Sequence, residues 1–377
     1  MRGHTSQQQP MFLMINVEER VPQDHPLRAI KRRADTILAG MRRDFNAAYS
    51  TLGRPSIPPE QLLKALLLQA LYSIRSEIQL MQAIDFNLLY RWFLDLPGDM
   101  AIWTPETFSM NRERFAEHRL LEKFFDRVVA EALTEELASP DHFTVDGTLI
   151  RSWASHKSLM PKNGAKAEDQ DDPGNPTVNW RGQRRTNATH QSRTDPQALL
   201  ARKSRGKEAH LSHSGHVLME NRHGLVLAVD VDAADGEAER RAALAMLDHV
   251  GRRHHLKPQT LGTDKGYDDG HFLVELEQQK IVPHVPLREG PLRATDDAGQ
   301  ARRRARRRQQ TKGYQISQRV RKKVEEIFGW MKTVGGLART RFVGRWKIKL
   351  EMLATGAAYN LLRLMRLETV AARPKMA

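Results

Sequence analysis

The apolar spacing of the chain changes character once, near residue 142, and that change limits what it can fold into. From Pro26 to about Leu137 apolar residues recur at helical intervals, as in Leu62, Leu63, Leu66, Leu67 and Ala70. Proline and glycine fall between these runs, at Gly53–Pro59 and Leu96–Pro105. Pro26 and the Pro58-Pro59 pair suit the first turn of a helix, where the missing N–H costs nothing. At His142 the pattern becomes β-like: Phe143, Thr144 and Val145 run into Asp146, Gly147 and Thr148. A helical part followed by a part that mixes strands and helices is therefore expected. The helical part fits either a packing bundle or a helix-turn-helix DNA module.

Beyond residue 142 the elements alternate. Val217–Glu220 and Leu225–Asp232 read as a hairpin joined by Asn221-Arg222-His223-Gly224. Asp235 can cap the next helix, with Glu237 and Glu239 in its first turn and Ala243, Met246, Leu247 and Val250 on its apolar face. A short strand into Thr263-Asp264, a helix near His271–Gln279 and a strand Ile281–Leu287 follow. A long helix then carries Val320, Val324, Ile327, Phe328 and Met331 on one stripe. The fold class is α/β, a mixed sheet flanked by helices, with an all-α N-terminal domain. The expected domains are a loose start at 1–25, helices at 26–140, a mixed α/β unit at 141–346 and a C-terminal helix and tail at 347–377. A polar insertion at about 161–210 is read as mostly loops.

Charge narrows the partner. Lys and Arg number 60 against 45 Asp and Glu, a formal net charge of +15, which favours a polyanion and nucleic acid first. Segment 301–323 alone holds eleven Lys or Arg and no acid. The chain has no cysteine, which excludes disulfides, thiolate zinc fingers, iron–sulfur clusters and thiol catalysis. The start lacks an apolar signal segment, and Leu62–Tyr72 is too short for a bilayer and contains Lys64, so a soluble cytoplasmic protein with no membrane partner is expected.

Three acids stand out. Asp146 follows an apolar strand run, although Asp-Gly also suits a turn. Asp264, in Thr263-Asp264-Lys265-Gly266, lies where open α/β sheets place ligand sites, although it also suits a turn or cap. At about 100° per residue, Glu325 falls at the edge of the buried stripe and Glu326 further out. Asp268, Asp269 and Glu326 are the alternatives if the register differs. Three carboxylates from two strands and a helix can hold two divalent ions, Mg²⁺ or Mn²⁺, which suit hard oxygen donors and cut phosphodiesters. The cations beside them, Arg321, Lys332 and Lys265, fit phosphate oxygens. An Arg321–Glu325 surface pair at i, i+4 is the plainer reading of that stripe.

With those residues in place, the chain resembles bacterial insertion-sequence transposases of the DDE type, in the group conventionally numbered five. The resemblance is carried by Thr144-Val145-Asp146-Gly147-Thr148, by Thr263-Asp264-Lys265-Gly266-Tyr267-Asp268, and by Arg321 through Lys332. The last segment fits Y-x2-R-x3-E-x6-K through Arg321, Glu325 and Lys332, with Gln318 at the tyrosine position. Gly53–Leu96 resembles the helical N-terminal domain of the same proteins, and the likeness covers roughly residues 11–367. It implies a ribonuclease-H-like catalytic domain. It implies that Asp146 and Asp264 share one metal, and that Glu325 with Asp146 holds the second. Hydrolysis at the element's end would expose a 3′-OH, which attacks target DNA in line. The helices would read the terminal inverted repeats of double-stranded DNA, and two ends imply a homodimer on DNA. The setting implied is the bacterial cytoplasm, associated with the nucleoid. Arg302, Arg303, Arg304, Arg306, Arg307 and Arg308, with the loop Arg339–Lys347, are the expected phosphate contacts. Neutralising about eight phosphates gives a log K against log[salt] slope of roughly −7. A DNA-binding relic without catalysis and a nuclease that never joins strands are the competing functions.

Other signals carry less. His210, His213 and His216 are spaced for alternate faces of a strand rather than for zinc. His249, His254 and His255 suit a helix C-terminus. Trp153, Trp180 and Trp330 have the chemistry to stack on a base. Ser152 and Ser155 near His156 lack the acid that a triad requires.

Overall fold

The computed structural model describes residues 16–50, 52–53, 56–162, 185–204, 206–290 and 296–371. Eight helices come first: α1 Val17–Arg20, α2 Pro26–Ala39, α3 Arg42–Ala48, α4 Pro59–Leu71, α5 Glu77–Phe86, α6 Leu88–Phe93, α7 Pro105–Glu117 and α8 Leu120–Thr134. Proline heads α2, α4 and α7. The side chains of Ser76, Asn87 and Thr104 cap α5, α6 and α7 by accepting from backbone N–H groups left free in the first turn.

The strands are β1 His142–Arg151, β2 Leu159–Pro161, β3 His190–Ser192, β4 Leu199–Ala201, β5 His210–Glu220, β6 Leu225–Ala233, β7 Thr260–Gly262 and β8 Val282–His284. The sheet order is β6-β5-β1-β7-β8, with β4 also on β5; β2 and β3 form a separate ribbon. β1 is antiparallel to β5, and β5 to β6; β1, β7 and β8 run parallel. Two antiparallel strands on one side of a central strand and two parallel ones on the other is the ribonuclease-H-like arrangement. The remaining helices are α9 Ala238–His254, α10 Gly270–Gln278, α11 Asp297–Arg308, α12 Lys312–Arg321, α13 Val324–Thr333 and α14 Arg345–Ala371.

Two elements differ from the sequence reading. β5 begins at His210, at the end of the polar insertion and seven residues before the expected strand Val217–Glu220, because Ser212, His213, Ser214 and His216 fill buried strand positions that hydropathy does not reveal. The expected single helix around 318–333 is two, α12 and α13, separated at Lys322-Lys323. Bonds from Lys323 N to Val320 O and from Glu325 N to Lys322 O tighten that joint into i→i+3 turns. Trp180 lies outside the described residues.

One apolar core runs through both parts. α14 packs on β6 and α8 and reaches α4 and α2. Its Asn360 side chain accepts from Val226 N and donates to Val226 O, at 2.9 and 2.7 Å, so a buried polar group is satisfied by the backbone of β6. Close packing explains Gly215: a Cβ there would stand 2.7 Å from Ile150 Cδ1 and 3.0 Å from Met352 Sδ. Among the described residues no helix is long and apolar enough to cross a membrane.

Candidate active site

Asp146 sits in the middle of β1, opposite Val217 of β5. Phe143 and Val145 are fully buried, and the alternation of a strand turns Asp146 to the other face from Val145. The Asp-Gly pair makes no turn here. Gly147 continues the strand opposite His216, and glycine fits there because a Cβ would stand 3.1 Å from His216 Nδ1 and 3.3 Å from Glu239 Cγ. Asp264 lies two residues past Gly262 of β7, and Asp146 two residues past Thr144 of β1; Gly262 and Thr144 are register partners. The two acids therefore stand at the same level of neighbouring parallel strands, Asp264 just past the end of β7, where open sheets place ligands. Asp264 Oδ1 accepts from Gly266 N at 2.8 Å and caps the short turn Lys265–Tyr267.

α13 supplies the third acid. Val324, Ile327, Phe328 and Met331 bury one face of the helix, and α13 packs on β1. Glu325 acts electrostatically on Asp146, whereas Glu326 acts on Tyr359 of α14. Burial pushes Asp146 up to about 6; the Gly147 N–H and Arg321 pull it down, and the charges of Asp264 and Glu325 add to the rise. Arg321 Nη1 lies 3.2 Å from Asp146 Oδ2. Asp146 Oδ1 accepts from Gly147 N at 2.8 Å.

A fourth carboxylate stands near these acids, at a position that the sequence alone reads as a helix-dipole residue. Glu239, in the first turn of α9, is raised by burial and then by the charges of Asp264 and Asp146. Tyr267 is fully buried beside these acids, and its hydroxyl has no hydrogen-bond partner among the described residues. Burial holds this phenol well above its ordinary range, and Glu239, Asp146 and Asp264 add to the effect. The only sequence signal for Glu239 was an acid opening the helix that follows a hairpin.

The cations divide into two groups. Arg302 binds Asp268 through two bonds, Nε to Oδ1 at 3.0 Å and Nη2 to Oδ2 at 2.9 Å, and the Asp268 side chain has no exposure. Arg304 and Arg308 both bind Glu277, and Arg306 donates to Gly290 O. Arg303 is also engaged. Much of the charge of 302–308, expected at phosphates, is engaged here in tying α11 to α10 and the following loop. Arg307 and Lys265 are exposed. Lys332 lies beyond the acids on α13 and lines a cavity of about 710 Å³ with Arg75, Arg112, Arg339, Arg341 and Lys347.

Gln318 has a structural task at the position of the motif's tyrosine. Its Nε2 donates to His284 O at 2.8 Å and to Thr263 O at 3.3 Å, joining α12 to the ends of β7 and β8. His213 Nε2 and Ser152 Oγ share Asp195 Oδ2, at 2.8 and 2.7 Å, so Ser152 pairs with Asp195 and not with His156. His216 is pushed down to about 4 by burial. His249 Nε2 binds Asp126 Oδ1 at 3.0 Å, with His254 Nε2 at 3.7 Å, so these two histidines hold α9 to α8. Trp153 is 55% exposed under the Arg339 guanidinium, and Trp330 packs edge-on against Tyr359.

The family described as "Transposase domain (DUF772)" matches residues 15–114, and the family described as "Transposase DDE domain" matches residues 139–361. No curated protein matches significantly. Solved structures that share remote likeness include the Mos1 transposase paired-end complex with left transposon end, at 11% identity over 80% of this chain and 85% of that one, with a TM-score of 0.21. The pre-cleavage Mos1 transpososome gives 13% identity over 78% and 83%, with a TM-score of 0.20. Scores of this size do not define a shared fold; the strand order and the family match do. The second match covers more than half of the chain, from before β1 into α14, and includes Asp146, Asp264 and Glu325: the chain belongs to the DDE transposases, metal-dependent enzymes of DNA transposition.

Proposed function

We propose that this transposase cuts DNA at the terminal inverted repeats of an insertion sequence and joins the exposed 3′-OH ends to target DNA. Asp146, Asp264 and Glu325 are the catalytic carboxylates in this reading. The observation that carries it is the placement of Asp146 and Asp264 at one level of two parallel strands, with Glu325 acting on Asp146 from α13.

The donors fit Mg²⁺ or Mn²⁺. All are hard oxygens, and among the described residues they are offset only by the Gly147 and Gly266 N–H groups and Arg321. Asp146 and Asp264 would hold one ion, and Asp146 and Glu325 the second. When bound, two such ions stabilise the charge on the attacking and leaving oxygens of a phosphodiester. The protein's share is orientation: strands fix two carboxylates and a packed helix fixes the third. Arg321, Lys265 and Arg307 contact phosphate oxygens beside the cut. The N-terminal helices read the repeats, and two copies of the chain pair the two ends.

The test is a labelled duplex carrying the element's own ends, incubated with Mg²⁺ or Mn²⁺ and, separately, with EDTA. Nicked and joined products that require the metal support transposition. Nicks without joining make the enzyme a nuclease. Salt-sensitive binding with no chemistry in either metal makes it a DNA-binding relic.

A further inference from the structure

Glu239 comes from the first turn of α9, an element no motif covers. Its Oε2 stands 2.6 Å from the point a Cβ on Gly266 would occupy, and Asp264 Oδ1 stands 3.0 Å from the same point. Those distances bound the separation of the two oxygens at about 5.6 Å. The Glu239 Cγ also stands 3.3 Å from the corresponding point on Gly147, next to Asp146. Two glycines thus leave the space that this one side chain crosses, one on β1 and one after β7. A β-carbon at Gly266 would have to displace the carboxylate.

Among the described residues no hydrogen bond to the Glu239 carboxylate is found, and the one cation whose charge acts on it, Arg240, is outweighed by burial and by the charges of Asp264 and Asp146. Its sequence neighbour Arg240 turns instead to Gly266 O, at 3.4 Å. A half-buried carboxylate facing a second carboxylate, without a donor, is unfavourable unless a cation sits between them. The buried Tyr267 hydroxyl below has no partner either, and it acts electrostatically with Glu239 as well as with Asp146 and Asp264. The plainer reading of Glu239 is an acid in a first helical turn, stabilised by the helix dipole. That reading explains its position along α9 but not its course over Gly147 and Gly266. Glu237, two residues earlier at the N-cap and exposed, offers the same charge to the helix dipole.

We propose that Glu239 is a fourth carboxylate of the metal centre and helps to hold the divalent ion on the Asp264 side. The inference rests on the reading of Asp146, Asp264 and Glu325 as metal ligands. With Glu239, the ion's position along the sheet is fixed from α9 as well as from α13. Removing a ligand of this kind weakens metal binding by roughly tenfold or more.

The test is Mn²⁺ binding to the full chain without DNA, followed by electron paramagnetic resonance of free Mn²⁺ and by calorimetry. The proteins are wild type, Asp146→Asn, Glu239→Gln and Glu237→Gln, each checked by circular dichroism. Glu237→Gln removes the same charge from the N-cap of the same helix. The proposal expects weaker binding in Glu239→Gln by about tenfold, with Glu237→Gln like wild type. If Glu239→Gln fails to fold, Glu239→Asp keeps the charge on a shorter arm and should still bind more weakly than wild type. Wild-type affinity in the folded Glu239 variant, alongside loss in Asp146→Asn, overturns the role of Glu239 and leaves the three-acid site standing. Equal binding by wild type and Asp146→Asn overturns the site itself, and the proposal with it.

Discussion

Arg321 Nη1 lies 3.2 Å from Asp146 Oδ2, so the last turn of α12 sets a cation directly against the acid at the centre of the sheet. The guanidinium has further N–H groups to offer a phosphate oxygen at the same place. Arg321→Gln should therefore weaken DNA binding across all sequences and lower the magnitude of the log K against log[salt] slope by about 1. Filter binding or anisotropy over a salt series measures it. An unchanged slope would confine Arg321 to the pairing with Asp146.

Neighbouring arginines of α11 should separate by role. Arg302→Ala leaves the Asp268 carboxylate buried without its cation and should cost about 2–3 kcal/mol of stability. Arg307→Ala should leave stability within about 0.5 kcal/mol of wild type, because the side chain is exposed. It should instead lower DNA affinity in a salt-dependent way. Urea unfolding together with the salt series decides both.

The bond between α14 and β6 gives a third expectation. Asn360→Leu keeps an apolar volume but leaves Val226 N–H and C=O unpaired inside the core. A loss of about 3 kcal/mol should follow, read as a lower urea midpoint at unchanged slope.

Glu351 gives a pH signature. Burial pushes it up to about 7, against the pull of Arg341, the Thr340 hydroxyl and Arg112. A carboxyl with a raised folded-state pKa favours the folded protein fully below its ordinary value near 4.5 and loses that contribution as pH rises through about 7. The stability of Glu351→Gln minus that of wild type should therefore grow between pH 5 and pH 8, by roughly 2–4 kcal/mol. A flat difference over that range would show that Glu351 is ionised at little cost in the folded protein.

The legible parts of the fold were those that hydropathy and chain punctuation encode. Proline at the head of α4 and an apolar run ending in Asp146 both lie in the sequence. Asp264 at a strand end was legible too, but its level beside Asp146 comes from the pairing of β1 with β7. Periodicity sets Glu325 nearer the buried stripe than Glu326, and that stripe restarts at Val324 after the break at Lys322-Lys323, with both acids exposed on α13. What stayed hidden depends on contacts between distant segments. β5 starts in polar residues whose burial comes from β1 and β6. The acids that claim Arg302, Arg304 and Arg308 lie on other elements. Glu239 reaches the acidic centre only because α9 crosses the sheet at Gly147.

Metal-dependent cleavage of end-bearing DNA by five proteins tests the central claim most directly: wild type, Asp146→Asn, Asp264→Asn, Glu325→Gln and Glu326→Gln. The expected result is that the first three variants lose cleavage while keeping DNA binding, and that Glu326→Gln, whose acid acts on Tyr359, cuts much like wild type. Cleavage retained by Glu325→Gln and lost in Glu326→Gln would contradict the assignment of the third acid, and cleavage that survives Asp146→Asn would contradict the acidic centre as a whole.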